Sequence, residues 1–434
     1  MNHLKRITAA VLICALFSVM IMPVRAAGTF LSGDIDADGK LSVSDIIGLQ
    51  RIIMGHTVIG STTKRIADLN DDGQITVLDI VILRNMIMQP QLIYKFPADW
   101  LLKNINLAFW NDQGSYALET LESSNKAFLW PYGAYLEALS AGLAANPNDQ
   151  DIKTQYIKAL NGLENYRARR DYRVYHPGSG GWGDIYYDDN IWIVIAFLRA
   201  YKLLNDTIWL EKAKELSVFC YSGWSDVAFG GVRWNETDEN LKVMCSTANL
   251  TIASCLLYKE TQDNTFLDWA QKLYDWADKY MKDTDGLYFE SYHGNGTINR
   301  TKWTVNAGCM IQAGVLMYEI TQKDSYIQNA MQTAQAADSY FGTLQNGIYR
   351  FHQPEPWFHI WLLEGYIMLQ SHVPNAAEYI NHFSTAVLNG TVYKKAGFVP
   401  PSWGNSADFS VRLIDQSGTT AALYMLQKYT ATKN

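Results

Sequence analysis

Asn205-Asp206-Thr207-Ile208-Trp209-Leu210, Gln262-Asp263-Asn264-Thr265-Phe266-Leu267 and Gln322-Lys323-Asp324-Ser325-Tyr326-Ile327 are three versions of one phrase. Each has an Asp, Ser or Thr suited to capping a helix, then an aromatic-aliphatic pair that begins an apolar stripe. The phrases are 57 and 60 residues apart. A second repeat runs at a similar period: Gly231-Val232, Gly286-Leu287-Tyr288 and Gly347-Ile348-Tyr349. Two helices per period of about 60 residues describe a stack of helical hairpins. Working outward gives about twelve helical stretches, starting near Ala98, Trp130, Asp151, Asp188, Ile208, Leu241, Thr265, Lys302, Ser325, Pro356, Pro374 and Ser417. Six hairpins can close into an (α/α)6 toroid, and twelve helices favour closure over an open superhelix. The fold class is therefore all-α.

The connections alternate in length. Turns before odd-numbered helices are tight, whereas those before even-numbered helices run to about 14 to 28 residues, beyond ordinary loop lengths. In an antiparallel array the even helices all begin on one face, so the long loops gather there with their Trp, Tyr, Gly and His residues. That face is the expected site.

The N-terminal segment is different. Lys5-Arg6, an uncharged run from Ile7 to Met22, and Val24-Arg25-Ala26 have the form of a signal peptide over residues 1–26. The expectation is export without a membrane span. Without Lys5, Arg6 and Arg25 the formal charge falls from −7 to −10, which argues against nucleic acid as a partner. Beyond the signal segment, Cys220, Cys245, Cys255 and Cys309 match no zinc spacing and are expected to be buried free thiols, with a disulfide the alternative in an exported chain.

Behind the signal, Asp34-Ile35-Asp36-Ala37-Asp38-Gly39-Lys40-Leu41-Ser42-Val43-Ser44-Asp45 presents oxygen ligands in the order of a calcium loop, with Gly at position 6. Asp68-Leu69-Asn70-Asp71-Asp72-Gly73-Gln74-Ile75-Thr76-Val77-Leu78-Asp79 repeats it 34 residues later. The expected Ca2+ ligands are Asp34, Asp36, Asp38, the Lys40 carbonyl and Asp45, then Asp68, Asn70, Asp72, the Gln74 carbonyl and Asp79. An apolar helix is expected after each loop and none before. This loop-helix duplication resembles a type I dockerin across residues 28–90. The resemblance implies calcium-dependent folding and a cohesin partner on a scaffold or cell-surface protein, hence an extracellular location. Residues 91–97 read as a linker, and the toroid is expected over residues 98–434.

Gly180-Gly181-Trp182-Gly183-Asp184-Ile185-Tyr186-Tyr187-Asp188-Asp189-Asn190-Ile191-Trp192 enters the fourth helix from the long-loop face. An Asp-Asp pair can simply cap a helix. Here it stands between Gly-Trp-Gly, Tyr-Tyr and Trp, where a carbohydrate cleft is expected. Adjacent helical carboxylates can approach the roughly 5–5.5 Å of retaining glycosidases, and two close like charges raise one pKa enough to supply a neutral acid.

From Tyr187 to Trp192, Ala196 to Tyr201, Gly230 to Trp234, Cys245 to Gln262 and Trp303 to Gly308, the chain resembles glycoside hydrolase family 76. That resemblance implies an (α/α)6 fold and retaining endo-α-1,6-mannanase action without a catalytic cofactor, on an α-mannan polysaccharide. Its nucleophile falls on Asp188 and its acid/base on Asp189. Trp182, Tyr187, Trp234, Trp303 and Asn306 become the candidate sugar contacts. The chain departs from the family pattern at Arg233, Val305 and Ala307, and from Phe351 to His359. Another (α/α)6 enzyme (a transglycosylase or unsaturated uronyl hydrolase) and an inactive glycan-binding toroid are the alternatives. His352 and His359 are expected in surface or core roles, with sugar contact the alternative, and Glu290, on another long loop with Tyr292 and His293, as a further carboxylate at the cleft without a catalytic role.

Overall fold

The computed structural model describes residues 33–38, 40–69, 74–88, 97–178, 183–392, 397–404 and 409–432. The signal segment, residues 91–96 of the linker, and Asn70, Asp72 and Trp182 lie outside them.

In the N-terminal module, helices α1 (Val43–Ile53), α2 (Ser61–Ala67) and α3 (Val77–Met88) enclose a small core of Leu49, Ala67 and Leu83. Ser42 caps α1 through a capping box with Asp45. Helix α2 departs from the expectation, because it runs directly into the second loop. Its seven residues are too few to show a periodic stripe, yet Ile66 and Ala67 at its end are buried.

The large domain contains all twelve expected helices: α4 (Pro97–Phe109), α5 (Leu129–Ala145), α6 (Gln150–Gly162), α7 (Tyr187–Leu204), α8 (Thr207–Ser222), α9 (Met244–Thr261), α10 (Asn264–Tyr280), α11 (Thr304–Thr321), α12 (Asp324–Phe341), α13 (Pro356–Gln370), α14 (Ala377–Val392) and α15 (Leu413–Ala431). Leu241 does not begin a helix. After β1 (Trp110–Asn111) and β2 (Tyr116–Ala117), which pair in the first long loop, it opens the short strand β3 (Leu241–Val243), which pairs with β4 (Ser291–His293) from a different long loop, and the helix starts at Met244.

The six helices α5, α7, α9, α11, α13 and α15 form the inner wall. Each packs on the next, and α15 returns to α5, so the ring closes. They are buried round most of their circumference, as in α7, where Ile191 to Leu198 are all buried. The others form an outer layer with one buried stripe, as in α10 with Phe266, Ala270, Leu273, Tyr274 and Ala277. Helix α4 completes that layer by packing on α15, with the Tyr424 hydroxyl donating to Asp99 at 2.7 Å.

The repeated phrase makes the tight turns. Asn205, Gln262 and Gln322 close α7, α9 and α11 in the left-handed conformation, with φ near 53°, 58° and 58°. Gln is uncommon there. Its side chain compensates by donating to the last free carbonyls, Tyr258 and Lys259 for Gln262, and Tyr318 and Glu319 for Gln322. Asp206 and Asp263 then cap the outgoing helices. In the third copy Lys323 takes the cap position without a side-chain bond, and Asp324 lies in the first turn instead.

Candidate active site

All the inner helices begin on one face. The first turns of α5, α7, α9, α11 and α13, with the loops that enter them, line a cleft of about 490 Å³. Helix α7 supplies Asp188, Asp189 and Trp192, with Tyr186 just before them. Helix α9 supplies Cys245, helix α11 supplies Val305 and Asn306, and helix α13 supplies Trp357 and Phe358. Trp130 of α5, Trp234, Glu290 and Trp303 complete the walls. Toward the opposite ends of the inner helices lies a separate cavity of about 420 Å³, where aliphatic side chains surround Arg199, Glu260 and Glu364. The adjacent aspartates line only the first cleft, which makes it the candidate site.

The start of α7 is held from three sides. Asn190, fully buried, accepts from the Tyr175 amide at 2.8 Å and donates to the carbonyls of Tyr175 and Tyr186. Tyr187 donates its amide to the Trp234 carbonyl at 2.8 Å. The Arg233 guanidinium donates to the Tyr187 hydroxyl and to the carbonyls of Ser222 and Glu236. Gly230 and Gly231, with φ of 108° and 94°, let this loop pass against Trp224 and Trp276, where a Cβ would come within about 2.6 Å of either ring.

The two aspartates differ in environment. Asp188 Oδ1 accepts the Asp189 amide at 3.0 Å, while Oδ2 accepts the Trp234 indole N–H at 3.1 Å and faces the Cys245 thiol at 3.8 Å. Burial pushes the Asp188 carboxyl up to about 6, opposed by those donors. Asp189 is held well above the usual carboxylate range, first by burial and then by the charge of Asp188. Among the described residues no hydrogen-bond donor reaches its side chain. The arrangement suits one ionised and one protonated carboxyl near neutral pH.

The expected sugar contacts divide. Trp234, Trp303 and Asn306 reach the cleft. Tyr187 does not: it is 2% exposed, stacked on Phe219 at 4.8 Å, and lies where Gly223 leaves room for its ring. It is the first helical residue, turned roughly 100° from its neighbours, so Tyr186 faces the cleft in its place. Glu290 does line the cleft, and burial raises its pKa. His359 is a core residue, hydrogen-bonded to Thr304 and the Gln353 carbonyl, stacked on Phe351, and lowered to about 3 by burial. The four described cysteines are free, but Cys245 is partly exposed in the cleft rather than buried. Trp130 and Phe358, whose rings are 6.2 Å apart, also reach the cleft, and no motif in the sequence marks them.

In the N-terminal module, carboxylate oxygens of Asp34, Asp36 and Asp38 converge within 4.8 Å of one another. Asp45 accepts the amides of Ile35 and Ser42, both at 2.8 Å. Asp79 repeats the pattern with Leu69 and Thr76, both at 2.7 Å, so the 34-residue repeat is structural as well as sequential. Three convergent carboxylates form an all-oxygen donor set that fits a hard divalent cation.

Residues 98–363 match the model of glycosyl hydrolase family 76. The chain belongs to that family. Residues 32–88 match the type I dockerin domain. A family 76 α-mannanase of Bacteroides thetaiotaomicron shares the fold at TM-score 0.71, with 21% identity and 80% and 99% of the two chains covered. The α-1,6-mannanase of Salegentibacter sp. HEL1_6 is 26% identical, with TM-score 0.64 and 78% and 98% covered. Two yeast relatives are named mannan endo-1,6-alpha-mannosidase. They are 24% identical over 127 residues (Candida glabrata) and 25% over 148 residues (Saccharomyces cerevisiae), spans that cover 28% and 33% of those proteins.

Proposed function

We propose that this family 76 protein hydrolyses internal α-1,6-mannosidic bonds of mannan with retention of configuration. The unequal environment of the aspartate pair carries the reading. Asp188, with donors on both oxygens, attacks the anomeric carbon while Asp189 gives its proton to the departing O6. The carbon–oxygen bond to the leaving sugar breaks as the ester to Asp188 forms. Asp189, now ionised, removes a proton from a water that attacks the same carbon and releases Asp188. The partly exposed Trp130, Trp234 and Phe128 offer flat faces for sugar rings.

One relative supports the pair. An inactive variant of the Salegentibacter α-1,6-mannanase, with two consecutive aspartates changed to asparagine, was solved with α-1,6-mannotriose. Asp188-Asp189 is the only adjacent aspartate pair in residues 98–434 here.

The reading extends to the N-terminal module. Asp34, Asp36, Asp38, Asp45 and the Lys40 carbonyl would hold one Ca2+. Asp68, Asn70, Asp72, Asp79 and the Gln74 carbonyl would hold a second. The ions order a docking surface for a cohesin, so the enzyme works outside the cell near its polysaccharide.

The test is debranched α-1,6-mannan with wild type, Asp188→Asn and Asp189→Asn, following the anomeric proton of the first product by NMR. The α-anomer should appear first, in wild type only. A first-formed β-anomer sinks the retaining mechanism. Binding without release by the wild type would instead make the toroid a glycan-binding subunit.

A further inference from the structure

Two aspartates in one helical turn share the same helix end, so their different duties need a cause outside α7. That cause is visible at Asp188 Oδ2, which meets the Trp234 indole N–H at 3.1 Å and the Cys245 thiol at 3.8 Å. Trp234 is itself fixed. Its amide donates to the Leu241 carbonyl at 3.0 Å, its carbonyl accepts from Tyr187, and its ring meets the edge of Tyr186 at 4.8 Å. It is still 36% exposed, so it presents a face to the cleft while its N–H is committed to Asp188.

We propose that Trp234 is a positioning residue which, with the Cys245 thiol, holds Asp188 as the ionised, attacking member of the pair. This rests on the assignment of Asp188 as nucleophile made above. A donor on a carboxylate oxygen favours the charged form and removes rotamer freedom, and Asp189 receives no such donor among the described residues. The other titratable groups lining the cleft near Asp188 are Asp189 on its own helix, Cys245 on α9, Tyr186 before α7 and Glu290 before β4. None of them is a cation, so the indole and thiol donors have no charged competitor for the role.

The indole thus has two separable properties: a ring face for sugar and an N–H for Asp188. Phe keeps the first and loses the second. The full-length protein, with Trp234→Phe, Cys245→Ser, Cys245→Ala, Asp188→Asn and Asp189→Asn variants, is assayed on a linear α-1,6-mannooligosaccharide for kcat, KM and pH profile. Circular dichroism checks that each variant is folded. Trp234→Phe should lose about 10- to 100-fold in kcat/KM, nearly all in kcat, with the acid limb moved to higher pH. Cys245→Ala should move the acid limb the same way by less, and Cys245→Ser, which keeps a donor, should move it less than Cys245→Ala does. A folded Trp234→Phe with wild-type kcat and an unmoved acid limb, or with only KM raised, overturns the proposal and leaves Trp234 a sugar platform. Retained activity in Asp188→Asn would overturn the underlying assignment, and this proposal with it.

Discussion

Asp188→Asn should inactivate the enzyme and stabilise its fold, and the gain should depend on pH. The Asp188 carboxyl is raised from 3.8 to about 6 in the folded chain, chiefly by burial. For a group with a raised folded pKa, stability is present at low pH and is lost as pH rises through the folded pKa. At about 1.36 kcal/mol per unit, ionised Asp188 destabilises the ring by about 3 kcal/mol at pH 7 and about 1 kcal/mol at pH 4.5. Asn removes that charge but has a single acceptor oxygen. Either the Asp189 amide or the Trp234 indole then loses its partner, which takes back roughly 1 kcal/mol. The net expectation is about 2 kcal/mol of stabilisation at pH 7, a rise in Tm of about 2–5 °C, and almost none at pH 4.5. Thermal unfolding followed by circular dichroism, wild type beside variant at both pH values, measures it. A lower Tm at pH 7, or an equal rise at both pH values, would refute the burial argument.

Other perturbations test the scaffold. Gly308→Ala puts a Cβ 2.4 Å from the backbone of Trp361 and Leu362, where α11 meets α13, and should lower stability by about 3 kcal/mol in a denaturant titration. Arg199 bridges Glu137 and Glu364 across the inner wall, so Arg199→Met leaves Glu137, 5% exposed, without its partner and should lose about 3–5 kcal/mol. Burial already pushes Glu137 up to about 7, so urea midpoints should show a larger loss at pH 8 than at pH 6. Arg51 and Lys64 are exposed on helices, so calcium removal with EDTA should speed tryptic cleavage after them at least tenfold, by loosening the backbone, while activity on soluble mannooligosaccharide stays unchanged. Equal cleavage with and without EDTA would count against calcium-dependent folding of the N-terminal module.

The helix number and the face of the site were legible because both rest on local signals. Asp206 and Asp263 mark helix starts, the apolar stripes mark lengths, and long loops must lie where inner helices begin. What escaped was non-local. Strand β3 exists because Leu241 to Val243 pairs with Ser291 to His293 about 50 residues away, which no periodicity announces. Tyr186 and Tyr187 are neighbours of one chemical type, and only the helix phase separates the cleft residue from the core residue. Cys245 read as one more buried thiol because its cleft neighbour, Asp188, lies 57 residues distant.

The closure of α15 onto α5, with α4 packed outside α15, gives the ring a seam made from opposite ends of its sequence. No five-sixths of this wall is a smaller version of the whole, since omitting α15 bares apolar flanks of α5 and α13 together. A chain emerging in order must hold its inner helices unfinished until the last one arrives, so assembly is slow by topology rather than by any single residue. The same seam means that the break in the circle is arbitrary. Joining α15 to α4 through a short linker and opening the chain at Asn205-Asp206 would keep every inner contact, and the permuted protein should keep whatever activity the native order shows on α-1,6-mannan.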